Sequence, residues 1–207
     1  MKKLVTSTFL LLFATTSAFS AGLVGIKYGT GSLESTAVVS NDTNTTKDAD
    51  SEYGAIFAEF GIGSSPISVG VEYIPLTATV GVDGSKTDSH LELSDHTTLY
   101  LLGSKELGNG ASIYGKLGYA MADIANVTAN YTDTTASSPA DKLEGPMFGL
   151  GFQTAEFSNL GMIARFEATY TEYDDVSVTT TENSITETKK ASDTNLTTFS
   201  ISIAKQF

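Results

Sequence analysis

Six charged residues stand where charge is costly. Lys27, Glu59, Glu72, Lys116, Arg165 and Glu167 each fall on the small-residue phase of an alternating apolar segment, among glycine, alanine, serine and threonine. A period of two sends alternate side chains to opposite faces, so all six point away from most of the Ile, Leu, Val and Phe of their own segments. Three are positive and three negative. Where such faces converge on one interior, the charges must pair or meet trapped water, since an isolated buried ion is prohibitively costly. Two chemistries fit: a plug of ion pairs that fixes strand register, and an ionic gate that opens a narrow polar path when charges exchange partners. The plug is the plainer reading, because buried pairs add little net stability and serve specificity better.

Other chemistries are weaker. Ser89, Ser94, Asp95, His90 and His96 supply the residue types of nucleophilic catalysis, but closeness in sequence is not a triad, and the expectation is polar loop residues with no enzymatic role. Asp42, Asp48 and Asp50, then Asp83, Asp88, Glu92 and Asp95, then Asp174, Asp175, Glu182, Glu187 and Asp193 offer oxygen ligands to divalent cations. None of these runs has the spacing of a dedicated calcium loop, so a solvated acidic surface is expected, with no metal site and no cofactor. Cysteine is absent, which excludes disulfides, thiol catalysis and thiolate metal sites. A formal net charge of -12 argues against nucleic-acid binding.

The elements that carry the six charges are strands. The last thirteen residues show the pattern best: Thr197, Phe199, Ile201, Ile203 and Phe207 on one side, with Lys205 the lone charge, against Leu196, Thr198, Ser200, Ser202, Ala204 and Gln206. About ten such residues cross a bilayer when tilted. A chain ending on a flat apolar strand exposes an aggregation-prone edge unless the strand pairs with the first and closes a barrel. Seven further segments alternate likewise: 22–33, 52–62, one from Ile67, 96–107, 112–124, 146–157 and 160–173. Outward residues include Val24, Ile26, Tyr28, Ile56, Phe60, Val69, Tyr73, Leu117, Tyr119, Phe148, Phe166 and Tyr170, with aromatics such as Phe157 and Phe207 suited to girdles at the headgroups. The segment 96–107 is the exception, since Leu99, Tyr100, Leu101 and Leu102 satisfy either facing. Pro75 cannot donate to a ladder and marks a bulge or the outer membrane boundary.

The connections alternate in length. Tight turns lie at 63–66, at 107–111 (LGNGA) and at Ser158 and Asn159, whereas 40–51, 83–95, 126–144 and 174–193 read as long polar loops. Fold class follows: all-β, an eight-stranded antiparallel up-and-down transmembrane barrel with short periplasmic turns and long extracellular loops. At the front, Lys2 and Lys3, the apolar run from Phe9 to Ala14 and the small residues Ser17, Ala18, Ser20 and Ala21 read as a secretory signal over 1–20, leaving the barrel domain as 21–207.

Phe199, Ile201, Ile203 and the terminal Phe207 resemble the C-terminal assembly signal of outer-membrane barrels, with Lys205 as a departure. The stretches YGKLGY at 114–119, GPMFGLGF at 145–152 and VEYIP at 71–75 resemble the small porin-family barrels related to the membrane domain of outer membrane protein A. The resemblance covers the barrel domain alone, with no peptidoglycan-binding domain after it. It implies an interior ion-pair network, location in the outer membrane of a Gram-negative-type bacterium, and as partners outer-membrane lipids, lipopolysaccharide and the barrel-assembly machinery, with a monomer as the working unit. The expected function is a non-enzymatic, porin-like envelope protein with a narrow gated path for small solutes. The competing expectation is a surface adhesion or interaction protein acting through its acidic loops.

Overall fold

The computed structural model describes residues 19–38, 45–75, 78–82, 89–128, 134–137, 142–157, 160–182 and 185–207. The signal assigned to 1–20 lies almost wholly outside them. Regular structure in the described residues is entirely β: β1 (Phe19–Val38), β2 (Thr45–Ile62), β3 (Ile67–Ile74), β4 (Ala78–Val82), β5 (Ser89–Gly108), β6 (Ala111–Thr128), β7 (Thr134–Ser137), β8 (Lys142–Gln153), β9 (Met162–Tyr173), β10 (Val176–Glu182) and β11 (Ile185–Gln206). Eight of these form a closed antiparallel ring in the order β1-β2-β3-β5-β6-β8-β9-β11, with β11 pairing back to β1. Strand β4 continues beside β5 beyond Pro75. Strands β10 and β7 add to β11 outside the ring.

Closure is completed by the last residue. Gly22 and Phe207 exchange two backbone hydrogen bonds of 2.9 Å, so no edge remains at the inner end of this seam. Following the pairing partners from Ile26 through β2, β3 and β5 leads to Met121 on β6. Going the other way from Lys27 through β11, β9 and β8 leads to Ser112 on that same strand. The stagger of about ten residues is the shear that lets eight strands close with a tilt of roughly 35–45°.

The barrel is turned inside out relative to a water-soluble one. Ile26, Leu99, Leu101, Leu117, Phe148, Leu150, Phe166, Phe199 and Ile201 are exposed on the outer wall, while glycine, serine, threonine and the six charges face inward. So continuous an apolar surface is far larger than a soluble monomer presents, and lipid is the solvent that suits it. Tyr28, Tyr119 and Tyr170 are exposed near its outer rim and Phe157 and Phe207 near the inner, while Phe60 and Tyr73 are half-buried. The facing of the ambiguous segment is decided: Thr98, Tyr100 and Leu102 are buried inside, and Leu99 and Leu101 face out.

Several boundaries differ from the sequence expectation. Thr45–Ser51, assigned to a loop, extends β2, and Ser89–Asp95 extends β5. The connection at 126–144 contains the end of β6, all of β7 and the start of β8. The connection at 174–193 holds β10 and the first part of β11. The segment at 146–157 stops earlier, at Gln153. Polar composition misled in the first four cases for one reason: these stretches carry little apolar alternation, so the period-two signal fades while the hydrogen-bonded ladder continues.

Candidate functional site

The lumen is built from glycine and aromatic pairs before any charge enters it. On inward positions Gly25 faces Phe57, Gly29 faces Tyr53, Gly70 faces Tyr100 and Gly151 faces Tyr114 across neighbouring strands. At Gly70 and Gly151 a Cβ would collide with the facing tyrosine ring, so the absent side chain is what lets the ring lie flat against the wall. The rings narrow the lumen and two present hydroxyls to it. Tyr100 donates to Glu59 Oε1 at 2.8 Å, and Tyr114 donates to Glu167 Oε2 at 3.0 Å.

All six charged residues meet in this space, each between 2% and 9% exposed. They form two groups. Arg165 grips Glu59 with both terminal nitrogens, Nη1 to Oε1 at 2.7 Å and Nη2 to Oε2 at 2.9 Å, while its Nε donates to Gln153 Oε1 at 2.8 Å. Lys27 Nζ lies 2.5 Å from Glu72 and 2.5 Å from Glu167. Lys116 Nζ reaches the same two acids, Glu167 at 2.9 Å and Glu72 at 3.5 Å. Each lysine is thus shared between two carboxylates, and each carboxylate between two lysines. Ring faces supply further cation contacts, with Lys116 Nζ 3.9 Å from the Tyr100 centroid and Arg165 5.0 Å from that of Tyr114. Three positive and three negative charges leave the layer neutral, and low local polarity strengthens every pair within it.

Apolar residues lie on both sides of the charged layer. Toward the long-loop end, Leu33, Ala120, Leu143 and Tyr173 pack together with Ile124 and Leu196. Toward the short-turn end, Leu23, Phe57, Ile163 and Ala204 form a second cluster. Beside the latter a cavity of about 170 Å³ opens, lined among others by Ser68, Ser104, Ser112, Gln153, Glu59 and Arg165. The bidentate pair therefore borders a small polar vestibule, whereas the lysine pair lies deeper.

His90, which the sequence reading set in a loop, belongs to β5, as does His96 at the start of the segment 96–107. His96 meets Tyr173 Oη at 2.9 Å through Nε2. Asp95 accepts the Tyr73 hydroxyl on the outer wall. Among the described residues His96 thus makes no hydrogen bond with Ser94 or Asp95. Asp48, Asp50, Asp95, Asp174, Asp175 and Asp193 are exposed, and no three metal-ligating side chains gather among the described residues. Residues 42, 83 and 88 lie outside the described residues. Phe199, Ile201, Ile203 and Phe207 line the outer face of β11 and its end.

Of the interior residues, sequence reasoning left the facing of Tyr100 open, placed Tyr114, Phe57 and Gln153 on the inward phase without giving them a part in the site, and did not assign Tyr173. A signal existed for the first three: an aromatic on the inward phase opposite an inward glycine on the adjacent strand. It becomes visible only when strand register is known.

No protein-family model and no curated protein matches the chain. Among solved structures it is similar to the outer membrane protein OprG from Pseudomonas aeruginosa, with a TM-score of 0.64 and 13% identity over 92% of this chain and 98% of that one. It is similar to the outer membrane protein AlkL in lipid bilayers, with a TM-score of 0.62 and 12% identity over 94% of each chain. Neisserial surface protein A follows with 0.51 and 12% over 88% of this chain and 97% of that. At these identities the likeness is one of fold: the small closed barrel of outer-membrane proteins.

Proposed function

We propose that this chain is a non-enzymatic, porin-like barrel of the bacterial outer membrane that supports the envelope and holds a narrow polar path closed at rest. The observation that carries the reading is the sharing of Lys27 and Lys116 between Glu72 and Glu167. Charges with two near-equivalent partners can exchange them without leaving an ion unpaired, which is what a gate requires and a one-to-one plug lacks. The vestibule beside Arg165 and Glu59 gives small solutes a place to enter from the inner end. Outer-membrane location is supported by the apolar outer wall and by the fold shared with OprG and AlkL. Export through a signal over 1–20, insertion by the assembly machinery through Phe199, Ile201, Ile203 and Phe207, contact with lipopolysaccharide, and a monomeric state belong to the same reading.

The test is single-channel recording of the refolded protein in a planar bilayer beside Arg165→Met. Discrete openings whose conductance or frequency changes in the variant support the path. A silent bilayer from folded protein would reduce the network to a plug.

A second reading, surface interaction, draws on the wall beyond the membrane. Strands β1 and β5 run 20 residues and β11 runs 22, about twice what a bilayer needs. The excess lengthens the wall of the ring, and β10 and β7 add beside β11 outside it. Removing residues 176–191 abolishes binding to a surface partner on this reading and leaves conductance unchanged on the first.

A further inference from the structure

His96 occupies the step between the charged layer and the apolar layer above it. Thr98, the next inward residue on β5, pairs with Glu72, and His96 itself stands opposite Ile74 at the end of β3. Its ring meets Tyr173 edge to face, with centroids 6.5 Å apart and planes at 86°, and Tyr173 is part of the apolar layer with Leu33, Ala120 and Leu143. The Nδ1 atom is sealed from solvent and has no hydrogen-bond partner among the described residues. Sealing a ring nitrogen without a partner is costly, and in a native interior such an atom calls for an explanation.

The surroundings limit what that nitrogen can do. Glu72 from β3, which pairs with Thr98, is the diagonal inward neighbour of His96, and Tyr173 from β9 holds its other nitrogen. Strands β6 and β8 bring Ala120 and Leu143 to the same layer, while their charged neighbours Asp123 and Lys142 are exposed. Asp95 on β5 is engaged with Tyr73 on the outer wall. The charged residue nearest His96 along the inward ladder is therefore Glu72, which already holds Lys27 and Lys116.

We propose that His96 is the proton sensor of the lumen, and that its protonation opens the apolar layer formed by Leu33, Leu143, Tyr173 and Leu196. This rests on the gated-path reading and names what drives the gate. In the neutral ring one nitrogen is a donor and the other an acceptor; after proton uptake from solvent both are donors. Tyr173 can then no longer donate to the ring, and the second N–H needs water or a carboxylate. Turning Glu72 toward the imidazolium satisfies it and loosens Glu72 from the two lysines, so one proton acts on both barriers. Histidine is suited to this because a free imidazole changes charge in the mildly acidic range, and a carboxylate turned toward it favours the charged form against burial.

The experiment is single-channel recording at about pH 7.5 and about pH 5 on the wild type, on His96→Asn and on Leu143→Ser. Leu143→Ser wets the apolar layer without touching the sensor. The expected result is a wild type whose open probability rises at least about tenfold in acid, a His96→Asn variant equally closed at both values, and a Leu143→Ser variant open at both. Leu143→Ser channels beside a wild type indifferent to pH overturn the sensor and leave the path standing. An acid response retained in His96→Asn overturns it equally. Silence from all three folded proteins at both values removes the gated path and the sensor together.

Discussion

Arg165 and Glu59 give the sharpest test of how the interior is held. Arg165→Met leaves the Glu59 carboxylate buried without its cation, with the Tyr100 hydroxyl as its remaining side-chain donor, and breaking one partner of such a buried pair costs roughly 3–5 kcal/mol. The paired change with Glu59→Leu removes both charges and is expected to recover most of that loss, as read by urea unfolding of the refolded protein. Additive losses in the double variant would show that the two residues are not coupled. Gly70 makes a complementary case. Gly70→Val sets a branched side chain where the Tyr100 ring lies, and overpacking of this kind costs about 1–3 kcal/mol. Lower unfolding midpoints are expected at Gly70 but not at Gly103, where a Cβ meets nothing nearby.

Strand facing is what separates lumen from lipid. Leu101 faces outward and Leu102, one residue on, is buried inside. Leu101→Arg should cost about 2–4 kcal/mol in a bilayer, the penalty for a cation on the lipid face near mid-depth. Measured in lipid vesicles, a negligible cost at Leu101 would mean that β5 has been placed a residue out of phase. The closing seam is equally specific. The Phe207 ring lies across Gly22, leaving no room for a side chain there, while the two backbones exchange hydrogen bonds. Gly22→Leu should therefore slow or prevent closure, seen as loss of the heat-modifiable band on unboiled gels, whereas Gly63→Ala in the inner turn strains only a positive φ of 57° and should leave that band in place.

Taken whole, the molecule is an apolar-walled ring whose strands run outward past it, with β10 and β7 added beside β11. Deleting residues 176–191 takes away β10 and the β11 partners it pairs with, yet leaves the ladder of β11 with β9 untouched. The barrel should still fold, with an unchanged heat-modifiable shift, and any loss of that shift would show that the outer sheet helps to hold the ring. The strands that cross the membrane were legible in the sequence because one face of each must satisfy lipid, and that demand imprints a period of two on Phe199, Ile201 and Ile203 or on Phe148, Leu150 and Phe152. The same period assigned Lys27, Glu59, Glu72, Lys116, Arg165 and Glu167 to the interior, since each stands on the opposite phase. Along Thr45–Ser51 and in β10 the sequence carries no sustained apolar phase, and the strands were invisible. Sequence order could not say which charge meets which, because Lys27 and Glu167 or Arg165 and Glu59 are brought together only by the stagger and closure of the ring. Facing is a local property of alternation and was determined by the sequence alone outside the segment 96–107; partnership across a lumen depends on register around all eight strands, and only the tertiary structure decided it.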